Sequence, residues 1–189
     1  MVSPNAVSKK SPGRMPYKGE RSSNMSKRKM SKVIFSIYMI LLFDVVVIKY
    51  FGSIRIVRNR VESMITNRRE YGCLNLNLVP FKSIESAIHS FDRYGFNSIN
   101  VLNLAANLVL FVPMGFLLPL LISNPSFTRT IAISAMIIVG FEAIQFFAFL
   151  GVADVDDLII NLAGCTIGFL LYAMTRRLAN LKKSRRLNS

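Results

Sequence analysis

The sequence predicts an all-α, multi-pass integral membrane protein: a four-helix transmembrane bundle with amphipathic helices in its first outer loop. The chain of 189 residues is 52% hydrophobic yet carries a formal net charge of +14. Its 24 Lys and Arg gather mainly at the two ends and in one loop, whereas a soluble domain interleaves charge with apolar residues throughout. Four apolar runs complete the pattern, each close to the roughly 20 residues that cross a hydrocarbon core of about 30 Å.

Residues 1–32 mix Ser, Pro, Gly, Lys and Arg with few large apolar side chains. Such a segment buries too little surface to offset the entropy of ordering, so a disordered basic cytoplasmic tail is expected. The first span is 33–51, VIFSIYMILLFDVVVIKYF. No small-residue cleavage site follows it, and it reads as an uncleaved anchor. Spans at 99–122, 130–150 and 158–175 follow, then a second basic cytoplasmic tail at 176–189. Pro113 sits inside the second span and deprives the carbonyl four residues earlier of its donor. A kink is expected there, with a neighbouring helix or water satisfying that carbonyl.

Lys and Arg number nine in 1–32, seven in 52–98, one in 123–129, none in 151–157 and six in 176–189. An even number of spans puts both tails on one side. With both cytoplasmic, the inner side holds 16 of these charges and the outer side 7, the asymmetry of an inserted bundle. A basic tail abutting an apolar run is an anchor flank, so membrane lipids rather than nucleic acid are the expected partners. In the outer loop 52–98, Ile54, Val57, Val61, Met64 and Ile65 recur at helical spacing. Arg55, Arg58, Arg60, Arg68 and Arg69 occupy other positions. This is an amphipathic helix that lies among headgroup phosphates or covers the bundle as a lid. Ile84, Ala87, Ile88 and Phe91, after Pro80, form a second such stripe.

Under this topology the polar residues of the spans all fall in the outer half: Asp44 in the first, Asn100, Asn103 and Asn107 in the second. Glu142 and Gln145 close the third, and Asp154, Asp156, Asp157 and Asn161 open the fourth. Spacings of three and four put each set on one helix face. The fourth face continues through Gly164 and Gly168, a G-x-x-x-G pair that lets another backbone approach, so it points into the bundle. A solvated outer cavity is the simplest account. Glu142 is the most suggestive residue, because an ionisable group inside a membrane persists when paired, hydrated or functional. The bland alternative makes it packing glue, hydrogen-bonded to an amide, and that reading is the better one for the asparagines and Gln145 as structural elements. Asp154, Asp156 and Asp157 sit where carboxylates cap a helix start, with no spacing diagnostic of a metal. No cofactor is expected: Cys73 and Cys165 support neither a disulfide framework nor a thiolate site, and the lone His89 lies on an apolar stripe.

Four blocks in order resemble the VanZ-like family of bacterial membrane proteins, over roughly the last two-thirds of the chain. They are Asn77-Leu78-Val79-Pro80-Phe81; Asn107 with Phe111, Pro113 and Gly115; Glu142 with Gln145; and Asp154-Val155-Asp156-Asp157 leading through Asn161 to Gly164 and Gly168. The resemblance implies a bacterial plasma-membrane protein similar to the one associated with resistance to the glycopeptide teicoplanin, and it supplies no catalytic residue. Related sequences often carry an Arg where this chain has Gly151, so no role for that arginine is carried over.

Three functions follow. The first is a binding protein whose outer cavity takes a lipid-linked or cell-wall-derived polar group. Asn107, Glu142, Gln145, Asp154, Asp157 and Asn161 would meet hydroxyls or amides, and an arginine of the loop, such as Arg68, would meet phosphate. The second is an enzyme acting on an envelope lipid, weakened by the lack of an embedded His, a G-x-S-x-G sequence or a pair of metal-ligating histidines. The third is a small transporter, against which stands an inner half without a charged path or an internal repeat.

Overall fold

A computed structural model describes residues 18–48, 53–72 and 74–187. The chain runs α1 (Lys18–Phe43) into a π-helical segment (Asp44–Ile48), then α2 (Ile54–Tyr71), β1 (Leu76–Asn77) and α3 (Lys82–Tyr94). A 3₁₀ turn (Gly95–Asn97) leads to α4 (Ile99–Leu121), α5 (Phe127–Phe147), β2 (Ala153–Asp154) and α6 (Val155–Leu187). Among the described residues four helices are long and apolar enough to span a membrane: Arg28–Ile48, Ile99–Leu121, Phe127–Phe147 and Val155–Arg185. The protein is an all-α, multi-pass membrane protein, and the two amphipathic stripes of the first loop are the helices α2 and α3.

Burial follows the logic of a lipid solvent. Ile34, Ile37, Ile40, Val109, Met136, Val139 and Leu170 are exposed on the spans, while Thr130, Ser134, Gln145 and Asn161 are buried between them. Apolar surface loses nothing by facing acyl chains, whereas polar groups gain partners inside the bundle. The apolar core joins Leu42, Val46 and Val47 to Phe111, Met114, Ile138, Phe141 and Cys165.

One expectation changes at α1. The basic segment 1–32, expected to be disordered, is helical from Lys18 onward, and residues 1–17 lie outside the described residues. Beyond Pro16 the segment holds no helix breaker except Gly19, and Lys, Arg, Met and Glu extend a helix already nucleated by the span at little cost. The second span runs as one helix through both Pro113 and Pro119. Beside Pro113, Tyr38 of α1 donates its hydroxyl to the Leu110 carbonyl at 2.8 Å, fastening α1 to α4 close to where the proline removes a donor.

Without a hydrophobic drive between helices in lipid, close association depends on small residues and hydrogen bonds. A Cβ on Gly164 would strike the Leu108 carbonyl, one on Gly168 the Val112 carbonyl, and one on Gly115 the Cys165 carbonyl. The α4 and α6 backbones therefore touch along about two turns, with glycines supplied from both sides. A Cβ on Gly140 would meet nothing within 4 Å. Accordingly Gly168→Val is expected to destabilise the protein by about 1–3 kcal/mol through overpacking, read as a lower unfolding temperature in detergent. Gly140→Ala should leave stability unchanged or raise it by up to about 1 kcal/mol, and equal losses at both positions would contradict this packing.

Candidate functional site

The polar groups gather at the end of the bundle where α1 and α5 finish and α4 and α6 begin. Chain ends of helices leave carbonyls and amides without intrahelical partners, and here other segments supply them. The Val46 carbonyl of the π segment accepts Gln145 Nε2 at 2.8 Å, and the Ile48 carbonyl accepts Arg60 Nη1 at 3.1 Å. Gln145 in turn offers its backbone carbonyl to Leu150 N at 3.0 Å, closing the turn after α5.

The loop between α2 and α3 is joined to this end by two short strands. Leu76 and Asn77 pair in parallel with Ala153 and Asp154, and Asn75 donates Nδ2 to the carbonyls of Phe146 and Gly151 at 3.0 and 2.9 Å. Beyond the strands stands Asp156, a fully buried carboxylate. Its Oδ1 accepts Phe81 N at 2.6 Å, and its Oδ2 accepts Ser83 N at 2.7 Å and Ile84 N at 3.3 Å. These are the amides at the start of α3. Asp156 thus caps a helix that is not its own, with its charge set against the positive end of that helix. Phe81 adopts φ 67°, a left-handed conformation costly for a bulky residue and held by its surroundings. Asp154 does the conventional capping: its Oδ1 accepts Asp156 N at 2.9 Å and Asn77 Nδ2 at 3.0 Å, and its Oδ2 accepts the Ser83 hydroxyl at 2.6 Å.

Between these groups lies a cavity of about 870 Å³. Val45 and Val46, Lys82, Ser83 and Ser86 of α3, Asn100, Asn103 and Asn107 of α4, Gln145, Asn77, Asp154 and Asp157 line it. Asn107 Nδ2 donates to Asp157 Oδ1 at 2.9 Å across α4 and α6, and Asn100 Nδ2 donates to Ser90 and Ser86 of α3 at 3.1 and 3.3 Å.

Of the residues singled out from sequence, Asn107, Gln145, Asp154 and Asp157 come together on this wall. Glu142 and Asn161 stand behind it. Glu142 Oε2 accepts the backbone N–H of Asp154 at 3.1 Å, and Asn161 is buried with its Oδ1 unpartnered. Arg68 is elsewhere, its guanidinium 5.4 Å from the centroid of the Phe149 ring. No α2 residue lines the cavity or is buried, so α3 rather than α2 forms its wall, and among the described residues the lining cation is Lys82. Asp44 opens the π segment beside the lining without joining it. Among the described residues no three His, Cys, Asp or Glu are placed to hold a metal ion; amides and hydroxyls take the carboxylate oxygens instead. Lys82, Ser83 and Asn75 carried no signal in the sequence, because Ser83 and Asn75 act through partners 71 positions away and Lys82 reaches the lining only through the fold.

Replacing Asp156 by Ala would leave the Phe81, Ser83 and Ile84 amides without their acceptor. A loss of about 3 kcal/mol or more is expected, together with faster hydrogen exchange at those three amides. Asp156→Asn keeps one carbonyl acceptor and should lose less. Unchanged exchange in Asp156→Ala would show that this carboxylate does not hold α3.

Comparison with known proteins places this arrangement. Residues 35–176 match the family model described as VanZ/LLP1. The chain is 26% identical over 154 residues to Protein VanZ of Enterococcus faecium, a match covering 82% of this chain and 80% of the relative. No solved structure matches. The matched region runs from the first span through the last and contains the cavity and the Asp156 cap, and the chain belongs to the VanZ/LLP1 family.

Proposed function

We propose that the protein is a cell-envelope membrane protein of the bacterial plasma membrane whose cavity opens to the outer face and binds a lipid-linked or cell-wall-derived ligand. Both termini are then cytoplasmic, in keeping with the 16 to 7 distribution of Lys and Arg between the two sides. Through that ligand it changes the tolerance of the cell to teicoplanin, as the resemblance to the VanZ-like family implies.

The observation that carries this reading is the convergence of side chains from every span onto one cavity. About 870 Å³ is a volume suited to a sugar or a short peptide. Its lining of amides, hydroxyls and two carboxylates over an apolar floor of Val45, Val46 and Leu110 fits a ligand with a polar head and an apolar attachment. The lipid-facing surface of the spans would admit such a molecule from the bilayer. The amphipathic α2, which has no fully buried residue and leaves Ile54, Ile56 and Ile65 uncovered, would rest in the headgroup layer beside the mouth.

Glu142 and Asp157 test the reading together. In cells expressing the double variant Glu142→Ala, Asp157→Ala at the membrane abundance of the native chain, teicoplanin tolerance should fall to the level of cells without the gene. Full tolerance at equal abundance would remove the cavity from the function.

A further inference from the structure

Carboxylates outnumber cations in the described lining of the cavity, and one of its wall residues, Gln145, has a buried acceptor without a donor. Among the described residues Asp154 and Asp157 bring two carboxylates to the cavity wall, Lys82 is the single cation, and no arginine lines it. Gln145 is 2% exposed, and its Nε2 is committed to the Val46 carbonyl at 2.8 Å. That bond fixes which way the amide faces and leaves Oε1, buried and without a hydrogen-bond partner. Buried acceptors are almost always satisfied, and among the described residues Gln145 alone combines an unpartnered buried oxygen with a place in the cavity lining.

These groups sort ligands by charge. A phosphate brought to the Gln145 end would meet carboxylate and amide oxygens, like facing like. A hydroxyl would satisfy the amide and hydrogen-bond a carboxylate, as Ser83 does to Asp154 at 2.6 Å, but it brings no charge to offset that of the wall. An ammonium brings several N–H donors and a charge opposite to that of the wall, and hydrogen bonds between ionised partners are the strong ones. We propose that the cavity selects a ligand bearing a primary ammonium group, whose N–H donors meet Gln145 Oε1 and the Asp154 and Asp157 carboxylates. This rests on the reading of the cavity as a ligand site and adds the chemistry that it recognises. The ammonium is borne by the peptide of a wall precursor or by the headgroup of a membrane lipid.

The test changes the ligand and leaves the protein intact. The purified full chain in phosphatidylcholine nanodiscs is titrated with a polyprenyl-linked disaccharide-pentapeptide containing lysine, with its side-chain amine free or acetylated. Short-chain phosphatidylethanolamine and its N-acetyl form make the second pair. The free-amine precursor should bind at least about tenfold more tightly than the acetylated one, as expected for loss of a charge-assisted hydrogen bond. Asp157→Asn should narrow that ratio. Discrimination within the phosphatidylethanolamine pair alone would support amine selection with a lipid as source, and would overturn a wall-derived ligand. Equal binding of both precursor forms would overturn amine selection and leave the wall-derived ligand standing. No binding in either pair would overturn both.

Discussion

A buried carboxylate at the start of the last span holds the extramembrane part of the protein to its bundle. Asp156 is fully enclosed and accepts three backbone amides from residues 81–84. A helix beginning has amides that need acceptors, and a carboxylate at the edge of an apolar medium needs donors. Each solves the problem of the other. The bond network fixes where α3 starts, holds Phe81 in its left-handed conformation and sets Lys82 and Ser83 on the cavity wall. Beside it, Asp154 binds Asn77, Ser83 and the N–H of Asp156, so strand pairing, helix capping and cavity lining share the same few oxygens.

Within the spans the same scarcity of donors and acceptors governs packing. The π segment at the end of α1 leaves carbonyls that Gln145 and Arg60 take up, and Tyr38 reaches the Leu110 carbonyl of the proline-bearing α4. Gly115, Gly164 and Gly168 bring α4 and α6 into backbone contact. That contact sets the distance between the helix starts above it, where Asn107 and Asp157 meet at 2.9 Å. The cavity is thus a consequence of spans held close along their length and bridged by polar groups at one end.

The spans and both loop helices were legible in the sequence, because apolar runs and helical spacing survive whatever surrounds them. So was the convergence of Asn107, Gln145, Asp154 and Asp157, which share helix faces at one depth. The paired strands were not: Leu76–Asn77 and Ala153–Asp154 are two residues each, too short for any alternation to show. The role of Asp156 was hidden for another reason, since an acidic residue near a helix start reads the same whether it caps that helix or a different one. Arg68 entered as a ligand for phosphate because arginine is the usual anion clamp. Its helix lines no part of the cavity, and among the described residues the cation at the cavity is instead Lys82, at the foot of the helix that Asp156 anchors.

Sidedness links this geometry to an envelope function and is directly measurable. In a chain with Cys73 and Cys165 replaced by Ser, single cysteines are introduced at Asn100 and Val152, on the cavity lining, and at Ser184, near the far end of α6. A membrane-impermeant maleimide added to intact cells is predicted to label the first two and to reach the third only after permeabilisation. Labelling of Ser184→Cys from outside, with Asn100→Cys and Val152→Cys protected until the cells are opened, would contradict the account.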